Sequence, residues 1–147
     1  MKLKMLDKVE EILRENSLCV LCTDGEGIPH CSLMTYLPSD DLKILYMISI
    51  QESKKYMNLS SNPDVSVLID TRQRINYQED KKITSVTFEG VYEPIDQKEI
   101  EQIKASFAKE HIELDEILKS PSVVIFGIKL KSFLLLDGAV NSFKGNM

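Results

Sequence analysis

The sequence predicts a mainly β protein, an antiparallel β-barrel of about six to seven strands with peripheral α-helices. Three observations predict this class. Short apolar and β-branched runs recur along the whole chain, short turns separate most of them, and few segments have helical spacing. Strands joined by short turns pair as antiparallel neighbours, and a sheet of such strands removes its edges by closing on itself.

Length and charge limit the class of protein further. A chain of 147 residues can bury enough surface for one core, so we expect a single domain over 1–147. The formal net charge of −5 and the dispersed basic residues exclude a general nucleic-acid binder. Since no window resembles a signal core or a membrane span, we expect a cytoplasmic protein without a membrane partner.

The apolar periodicity places the strands. An amphipathic helix is predicted first and ends near Asn16, and Asp24–Gly27 forms the turn of a hairpin behind it. The predicted strands are Leu18–Thr23, Ile28–Leu37, Leu42–Ile50, Val65–Ile69, Ile83–Tyr92, Val123–Leu130 and Ser132–Leu136.

Helix signals and polar segments fill the remaining positions. A helix begins at Ser53 and stops before Pro63, and Asp96 caps another helix as the first residue of a capping box. A short helix is predicted around Leu114–Leu118, and a Gly-containing tail ends the chain. Thr71–Lys82 is polar and is predicted to be a long loop.

The three cysteines are predicted to be buried, unreactive thiols. An odd number without an export signal argues against a disulfide framework. Cys19 and Cys22 form a C-x-x-C, but an offset of three on a strand directs the two side chains to opposite faces. No second Cys or His pair completes a zinc site at the usual spacing, and we predict no metal site.

The stretch from Leu18 to Lys55 combines an apolar sheet wall with a cationic corner. At the corner, the hydroxyl of Ser53 and the ammonium groups of Lys54 and Lys55 lie at a predicted helix N-terminus, where the helix dipole favours an anion. Taken alone, two neighbouring lysines are more often solvated than functional. Together with the preceding strands, they fit a planar ring that carries a phosphate.

Four segments in this order carry a resemblance to a known family: Gly27-Ile-Pro-His-Cys-Ser32, Leu45-Tyr-Met-Ile-Ser49, Ser53-Lys-Lys55 and Asn62-Pro-Asp-Val-Ser-Val67. In order and spacing the chain resembles the pyridoxamine 5′-phosphate oxidase-like flavoproteins from its first helix to about Gly90. The resemblance implies the FMN-binding split β-barrel, and a homodimer with FMN at its interface.

Carried over residue by residue, the resemblance implies a set of cofactor-binding positions. Four of them, on the second strand, flank the isoalloxazine ring and ribityl chain; two end the third strand; and three match the Ser-Arg-Lys phosphate clamp, with lysine replacing the arginine. They are His30, Ser32, Leu33, Met34, Ile48, Ser49, Ser53, Lys54 and Lys55. Ser85 stands where the oxidases carry a cofactor-contacting glutamine, and Arg72 and Arg74 are left outside the predicted site.

The resemblance implies a flavin-dependent oxidoreductase that acts on an unidentified small molecule. The oxidases proper are longer and end in an Arg-Leu-x-Pro-like segment, whereas this sequence reads Phe143-Lys-Gly-Asn-Met147, so oxidation of vitamin B6 is not expected. Two alternatives stay open: a flavin-binding module without turnover (a sensor, carrier or storage protein), and a relative that binds haem or a deazaflavin, with His30 as the candidate haem ligand. No catalytic residue is predicted, because no acid, base or nucleophile is arranged beyond the cofactor slot.

Overall fold

The computed structural model describes residues 2–72, 82–138 and 141–147. In these ranges the helices are α1 (Lys2–Glu15), α2 (Lys54–Ser61), α3 (Gln97–Glu110) and, after a 3₁₀ turn at Ile112–Leu114, α4 (Asp115–Leu118). The strands are β1 (Leu18–Gly25), β2 (Ile28–Pro38), β3 (Ile44–Ile50), β4 (Asp64–Asp70), β5 (Thr84–Glu93), β6 (Val123–Asp137) and β7 (Asn141–Asn146).

The described strands form one antiparallel sheet that closes into a barrel. Their order is β3-β2-β1-β4-β5-β6-β7, and β3 pairs in addition with β6. The first half of β6 pairs with β3, from Val123 to Lys129, and its second half pairs with β7. The ring therefore runs through β3, β2, β1, β4, β5 and β6, which confirms the predicted antiparallel barrel.

The core fills the inside of this ring, and α1 closes one end of it. Alternate residues of each strand face inward, as the period of a pleated strand requires. Val9 and Leu13 of α1 are completely buried, and the Tyr36 hydroxyl on β2 donates a hydrogen bond to the Leu13 carbonyl at 2.9 Å. This bond satisfies one of the carbonyls that the end of α1 would otherwise leave unpaired.

A second, smaller apolar cluster lies outside the barrel. Ile103 and Phe107 of α3 pack there with Leu37 and Ile48. The Asp96 carboxylate accepts a hydrogen bond from the Lys98 N–H at 3.2 Å, which confirms Asp96 as the cap of α3. Among the described helices, none is both long and apolar enough to cross a membrane.

The prediction of two strands separated at Lys131 is wrong, because β6 is a single strand. Its pairing with β5 shifts register: Glu89 lies opposite Ser132, whereas Gly90 lies opposite Leu130. Lys131 is therefore the extra residue of a β-bulge, which bends the strand without ending it.

The predicted Gly-containing tail is also wrong, because its residues form β7. This strand pairs with β6 from Asn141 to Asn146. A Cβ atom on Gly145 would lie 2.6 Å from the ring of Phe133, so the glycine lets β7 approach the β6 side chains. Of the predicted loop at Thr71–Lys82, residues 73–81 lie outside the described ranges.

Asp137, at the end of β6, connects α1 to the sheet. Its carboxylate lies 3.0 Å from the Lys8 ammonium of α1 and 3.0 Å from the Lys82 ammonium, and it accepts a hydrogen bond from the Thr84 hydroxyl at 3.0 Å. The hydrogen bonds from Lys82 and then Lys8 are the main causes that lower the pKa of Asp137 to about 2.

We expect Asp137→Asn to destabilise the protein near neutral pH by about 1 kcal/mol, after allowance for solvent screening. The folded-state pKa lies below the ordinary value of 3.8. The carboxylate therefore makes its full contribution to the free energy of unfolding above pH 3.8, and this contribution is lost as the pH falls towards about 2. Urea denaturation of both proteins across this pH range measures the difference between their free energies of unfolding. A difference that does not change with pH would contradict the role given to the Asp137 carboxylate.

Candidate functional site

The barrel is split between β2 and β3. These two strands pair only where Tyr36–Pro38 meets Leu45–Met47. Beyond that point β3 continues along β6 as far as Ile50. Among the described strands, none pairs with the β3-facing edge of β2 from Ile28 to Thr35. The described chain thus leaves a length of strand edge open.

The open edge presents main-chain hydrogen-bonding groups. The Tyr36 N–H donates to the Ser17 carbonyl at 2.9 Å, so the even-numbered residues of β2 turn their backbone groups towards β1. In an antiparallel strand the intervening residues point the other way. The N–H and C=O groups of Cys31, Leu33 and Thr35 are therefore directed into the split, where water or a ligand must satisfy them.

A polar corner lies next to the split, where β3 ends and α2 begins. The predicted helix start at Ser53 is confirmed: Ser53 caps α2, and its hydroxyl accepts a hydrogen bond from the Tyr56 N–H at 3.4 Å. The same hydroxyl lies 2.8 Å from the hydroxyl of Ser49, the penultimate residue of β3. Within the described ranges, the backbone N–H groups of Lys54 and Lys55 have no acceptor.

This corner is suited to an anion. The free N–H groups and the dipole of α2 create a positive potential at the helix N-terminus. The side chain of Lys54 is exposed and that of Lys55 is half-buried, so both ammonium groups remain available to a ligand in solution. Hydroxyl, ammonium and N–H donors together are the groups that bind phosphate.

A close contact holds α2 against the β1–β2 hairpin. The side-chain amide of Asn58 on α2 donates a hydrogen bond to the Thr23 hydroxyl of β1 at 3.1 Å. A Cβ atom on Gly25 would overlap the oxygen of the same side-chain amide. Gly25 is not part of the turn itself. The two turn residues are Glu26 and Gly27, whose φ angles of 54° and 80° are those of a tight two-residue hairpin turn. The missing side chain at Gly25 thus allows α2 to approach the hairpin closely enough for the hydrogen bond between Asn58 and Thr23.

The structure divides the sequence-predicted site residues among different environments. It brings Ser49, Ser53, Lys54 and Lys55 together at the corner. The half-buried His30 and Ser32 share one face of β2, whereas Leu33 points to the other face and is 72% exposed.

Three of the predicted residues are buried. Met34 is 5% exposed and belongs to the barrel core, Ile48 is 6% exposed and packs in the cluster with α3, and Ser49 is 2% exposed at the corner. Ser85 lies on β5, which β1 and β4 separate from β2. Arg72 pairs with Asp70 at 2.9 Å.

An apolar row crosses the outward face of β2, β1 and β4. Leu33 lies opposite Val20, and Val20 lies opposite Leu68. Leu18 joins them in lining a depression of about 340 Å³. Leu33 is 72% exposed, whereas Leu18, Val20 and Leu68 are half-buried. A contiguous apolar row that reaches solvent is typical of a contact surface.

The prediction that all three cysteines are buried is wrong for Cys22 and Cys31. Cys19 is buried, but Cys22 is half-buried and Cys31 is exposed. Cys22 and Cys31 lie directly opposite each other on β1 and β2, with their sulfur atoms 3.5 Å apart. The signal in the sequence was the two-residue turn, because counting outward from Glu26 and Gly27 places these residues side by side.

The geometry defines an antiparallel barrel with an open strand edge and a polar corner suited to an anion. The family model described as pyridoxamine 5′-phosphate oxidase matches residues 5–135. The chain therefore belongs to the pyridoxamine 5′-phosphate oxidase family, as its resemblance implied. The search of curated proteins gave no match.

Solved structures show the same fold. A FAD-binding protein from Mesorhizobium loti is 22% identical, with a TM-score of 0.72, and the match covers 90% of this chain and 94% of that one. General stress protein 26 from Bacillus anthracis is 21% identical, with a TM-score of 0.72 and complete coverage (100%) of both chains. A heme binding protein from Mycobacterium smegmatis is 16% identical, with a TM-score of 0.77 over 92% of this chain, which spans 55% of that one.

The contact between Gly25 and Asn58 yields a prediction about how α2 is positioned. We expect Gly25→Ala to cost about 1–3 kcal/mol of stability, since the new methyl group meets a packed amide. In an Asn58→Ala background the same substitution has room, and we expect it to cost less than about 0.5 kcal/mol. Chemical denaturation of the four proteins in this cycle measures the coupling, and equal costs in the two backgrounds would show that the amide does not fix α2.

Proposed function

We propose that this protein binds FMN in the split between β2 and β3 and works as a flavin-dependent oxidoreductase on a small molecule. The observation that carries the proposal is the open edge of β2 beside the polar corner at Ser49 and Ser53. Membership of the pyridoxamine 5′-phosphate oxidase family supports it, as does the flavin named for the Mesorhizobium loti structure.

The groups present match the two ends of FMN. Its phosphate is a dianion, which the N–H groups, hydroxyls and ammonium groups of Ser49, Ser53, Lys54 and Lys55 would bind. Its ring carries carbonyl oxygens and an N–H along one edge, and these complement the backbone groups that β2 directs into the split. His30 and Ser32 remain the proposed side-chain neighbours on β2, with Leu33 on its other face.

The proposed working unit is a homodimer with the cofactor at the interface. In support, the apolar row of Leu33, Val20 and Leu68 crosses the outward face of β2, β1 and β4, and its Leu33 end lies on the strand that borders the split. A second copy packed on this row would remove exposed apolar surface from water, which is favourable by about 25 cal/mol per Å². It would also lie close to whatever occupies the split.

Bound flavin supplies the redox chemistry by accepting or donating a hydride or single electrons. The contribution of the chain is then to bind the phosphate, orient the ring and restrict access to it. No described residue is assigned to proton transfer, so the substrate is identified here only as a small molecule that can exchange electrons with flavin.

The proposed role of the polar corner in binding phosphate can be tested by comparing the affinities for two flavins. We expect the double variant Lys54→Ala, Lys55→Ala to weaken FMN binding by about tenfold or more, because charge-assisted hydrogen bonds to phosphate are lost. Binding of riboflavin, which has no phosphate, should change little. Fluorescence titration measures both affinities.

A matched control is Lys98→Ala, Lys109→Ala, which removes the same charge from exposed positions on α3. We expect this control to bind both flavins as the wild type does. Equal losses of affinity for FMN and riboflavin in the Lys54→Ala, Lys55→Ala variant would contradict the proposal that the polar corner binds the phosphate. So would wild-type protein that is purified colourless and fails to take up added FMN.

The proposed dimer surface can be tested at its most exposed residue. We expect Leu33→Asp to shift the protein towards monomer in sedimentation experiments, because a charge at the centre of an apolar interface is costly to desolvate. Ile112→Asp is the control, since Ile112 is 82% exposed on the 3₁₀ turn before α4, away from this row. A wild-type monomer, or equal dissociation in both variants, would contradict the proposed interface.

Turnover separates the oxidoreductase from a flavin-binding module. We expect chemically reduced holoprotein to be reoxidised by at least one small acceptor, such as a quinone or oxygen, faster than free reduced FMN. Stopped-flow absorbance at the flavin band measures both rates. Reoxidation no faster than that of free flavin with every acceptor would favour a carrier, sensor or storage role.

A further inference from the structure

We propose that Cys22 and Cys31 form a reversible disulfide across the β1–β2 hairpin, which makes the pair a modification site for low-molecular-weight disulfides such as oxidised glutathione. The proposal does not depend on flavin binding, and it applies to a chain whose outward β1–β2 face is uncovered, because Cys22 and Cys31 lie on the same face as Val20 and Leu33 of the proposed dimer surface. It rests on the placement of two thiols, one of them exposed, on a rigid hairpin.

The geometry already brings the two sulfur atoms together. Cys22 and Cys31 are direct cross-strand partners, and their sulfur atoms are 3.5 Å apart. The hydrogen bond from Tyr36 to Ser17 shows that the even-numbered residues of β2 bond to the main chain of β1. Cys31 is odd-numbered, so Cys22 and Cys31 form a cross-strand pair without main-chain hydrogen bonds between them. At such positions the Cα atoms are about 4.5 Å apart, within the range that a disulfide bridges.

The hairpin keeps the pair in register. Its turn is short, and β1 and β2 pair continuously from Leu18 opposite Thr35 to Gly25 opposite Ile28. Side-chain rotation alone can therefore change the separation of the sulfur atoms, and no strand has to move. Among the described residues, neither thiol has another hydrogen-bond partner.

The two thiols have different access to solvent, which sets the order of reaction. Cys31 is exposed, whereas Cys22 is half-buried. Burial, followed by the hydrogen bond with Cys31, raises the pKa of Cys22 to about 11. Near neutral pH Cys22 is therefore almost entirely protonated, and Cys31 is the thiol that meets an external disulfide first.

The exchange is balanced in two steps. The Cys31 thiolate attacks one sulfur of oxidised glutathione, forms a mixed disulfide and releases one glutathione thiolate. Cys22 then loses its proton to solvent and attacks the Cys31 sulfur, which expels the second glutathione. The two protein thiols lose two electrons and two protons in total, and one molecule of oxidised glutathione becomes two molecules of glutathione.

The experiment equilibrates the purified protein in glutathione buffers and traps free thiols by alkylation. A glutamate-specific protease then cuts after Glu26, between the two cysteines. We expect mass spectrometry to find the peptide containing Cys22 joined to the peptide containing Cys31, with the loss of two hydrogen atoms and complete reversal by dithiothreitol. For an internal disulfide, the joined fraction depends on the squared glutathione concentration divided by that of oxidised glutathione.

Two variants locate the bond. Cys31→Ser should abolish the joined species, whereas Cys19→Ala should retain it, because Cys19 is 2% exposed and faces the core. If Cys19→Ala does not fold, fragmentation of the wild-type peptides still distinguishes Cys19 from Cys22. Mixed disulfides without a joined species would overturn the proposal, and so would a disulfide between two chains or a joined species that survives in Cys31→Ser.

Discussion

The pairing of β3 with β6 is the constraint on which the rest of this structure depends. This pairing closes the barrel around its core, and it runs from Ile44 to Ile50. The same strand meets β2 only where Tyr36–Pro38 lies opposite Leu45–Met47. Beyond Met47 the strand follows β6 and leaves the edge of β2 open, and its penultimate residue, Ser49, reaches the cap of α2. Core and candidate site are two results of one strand arrangement.

The electrostatics of the site are local. With a net charge of −5, the protein as a whole does not attract an anion, and its long-range field opposes one. An anionic ligand must be bound by groups at contact distance, which are the N–H donors of α2, the hydroxyls and the two lysines. This explains why the position of α2 matters, and why a glycine at position 25 is part of the site although it carries no functional group.

Features governed by nearby residues could be predicted from the sequence. Alternation predicts most of the strands, and the capping box predicts Asp96 as the cap of α3. The bulge at Lys131 was mistaken for a strand break, because an extra residue interrupts alternation as a loop does. β7 was missed since its residues are largely polar, and pairing with β6 stabilises it. The split barrel follows from the family resemblance but not from alternation, because the path of β3 beyond Met47 depends on its pairing with β6, which is far away in the chain.

Amide hydrogen exchange, measured by NMR with and without FMN, tests the proposed contact between the open edge of β2 and the flavin ring. We expect FMN to slow exchange at the odd-numbered residues Cys31, Leu33 and Thr35 and at Lys54 and Lys55. Their even-numbered neighbours on β2, already bonded to β1, should exchange slowly in both states. FMN binding that leaves those amides unchanged, or that protects a different surface instead, would contradict the account.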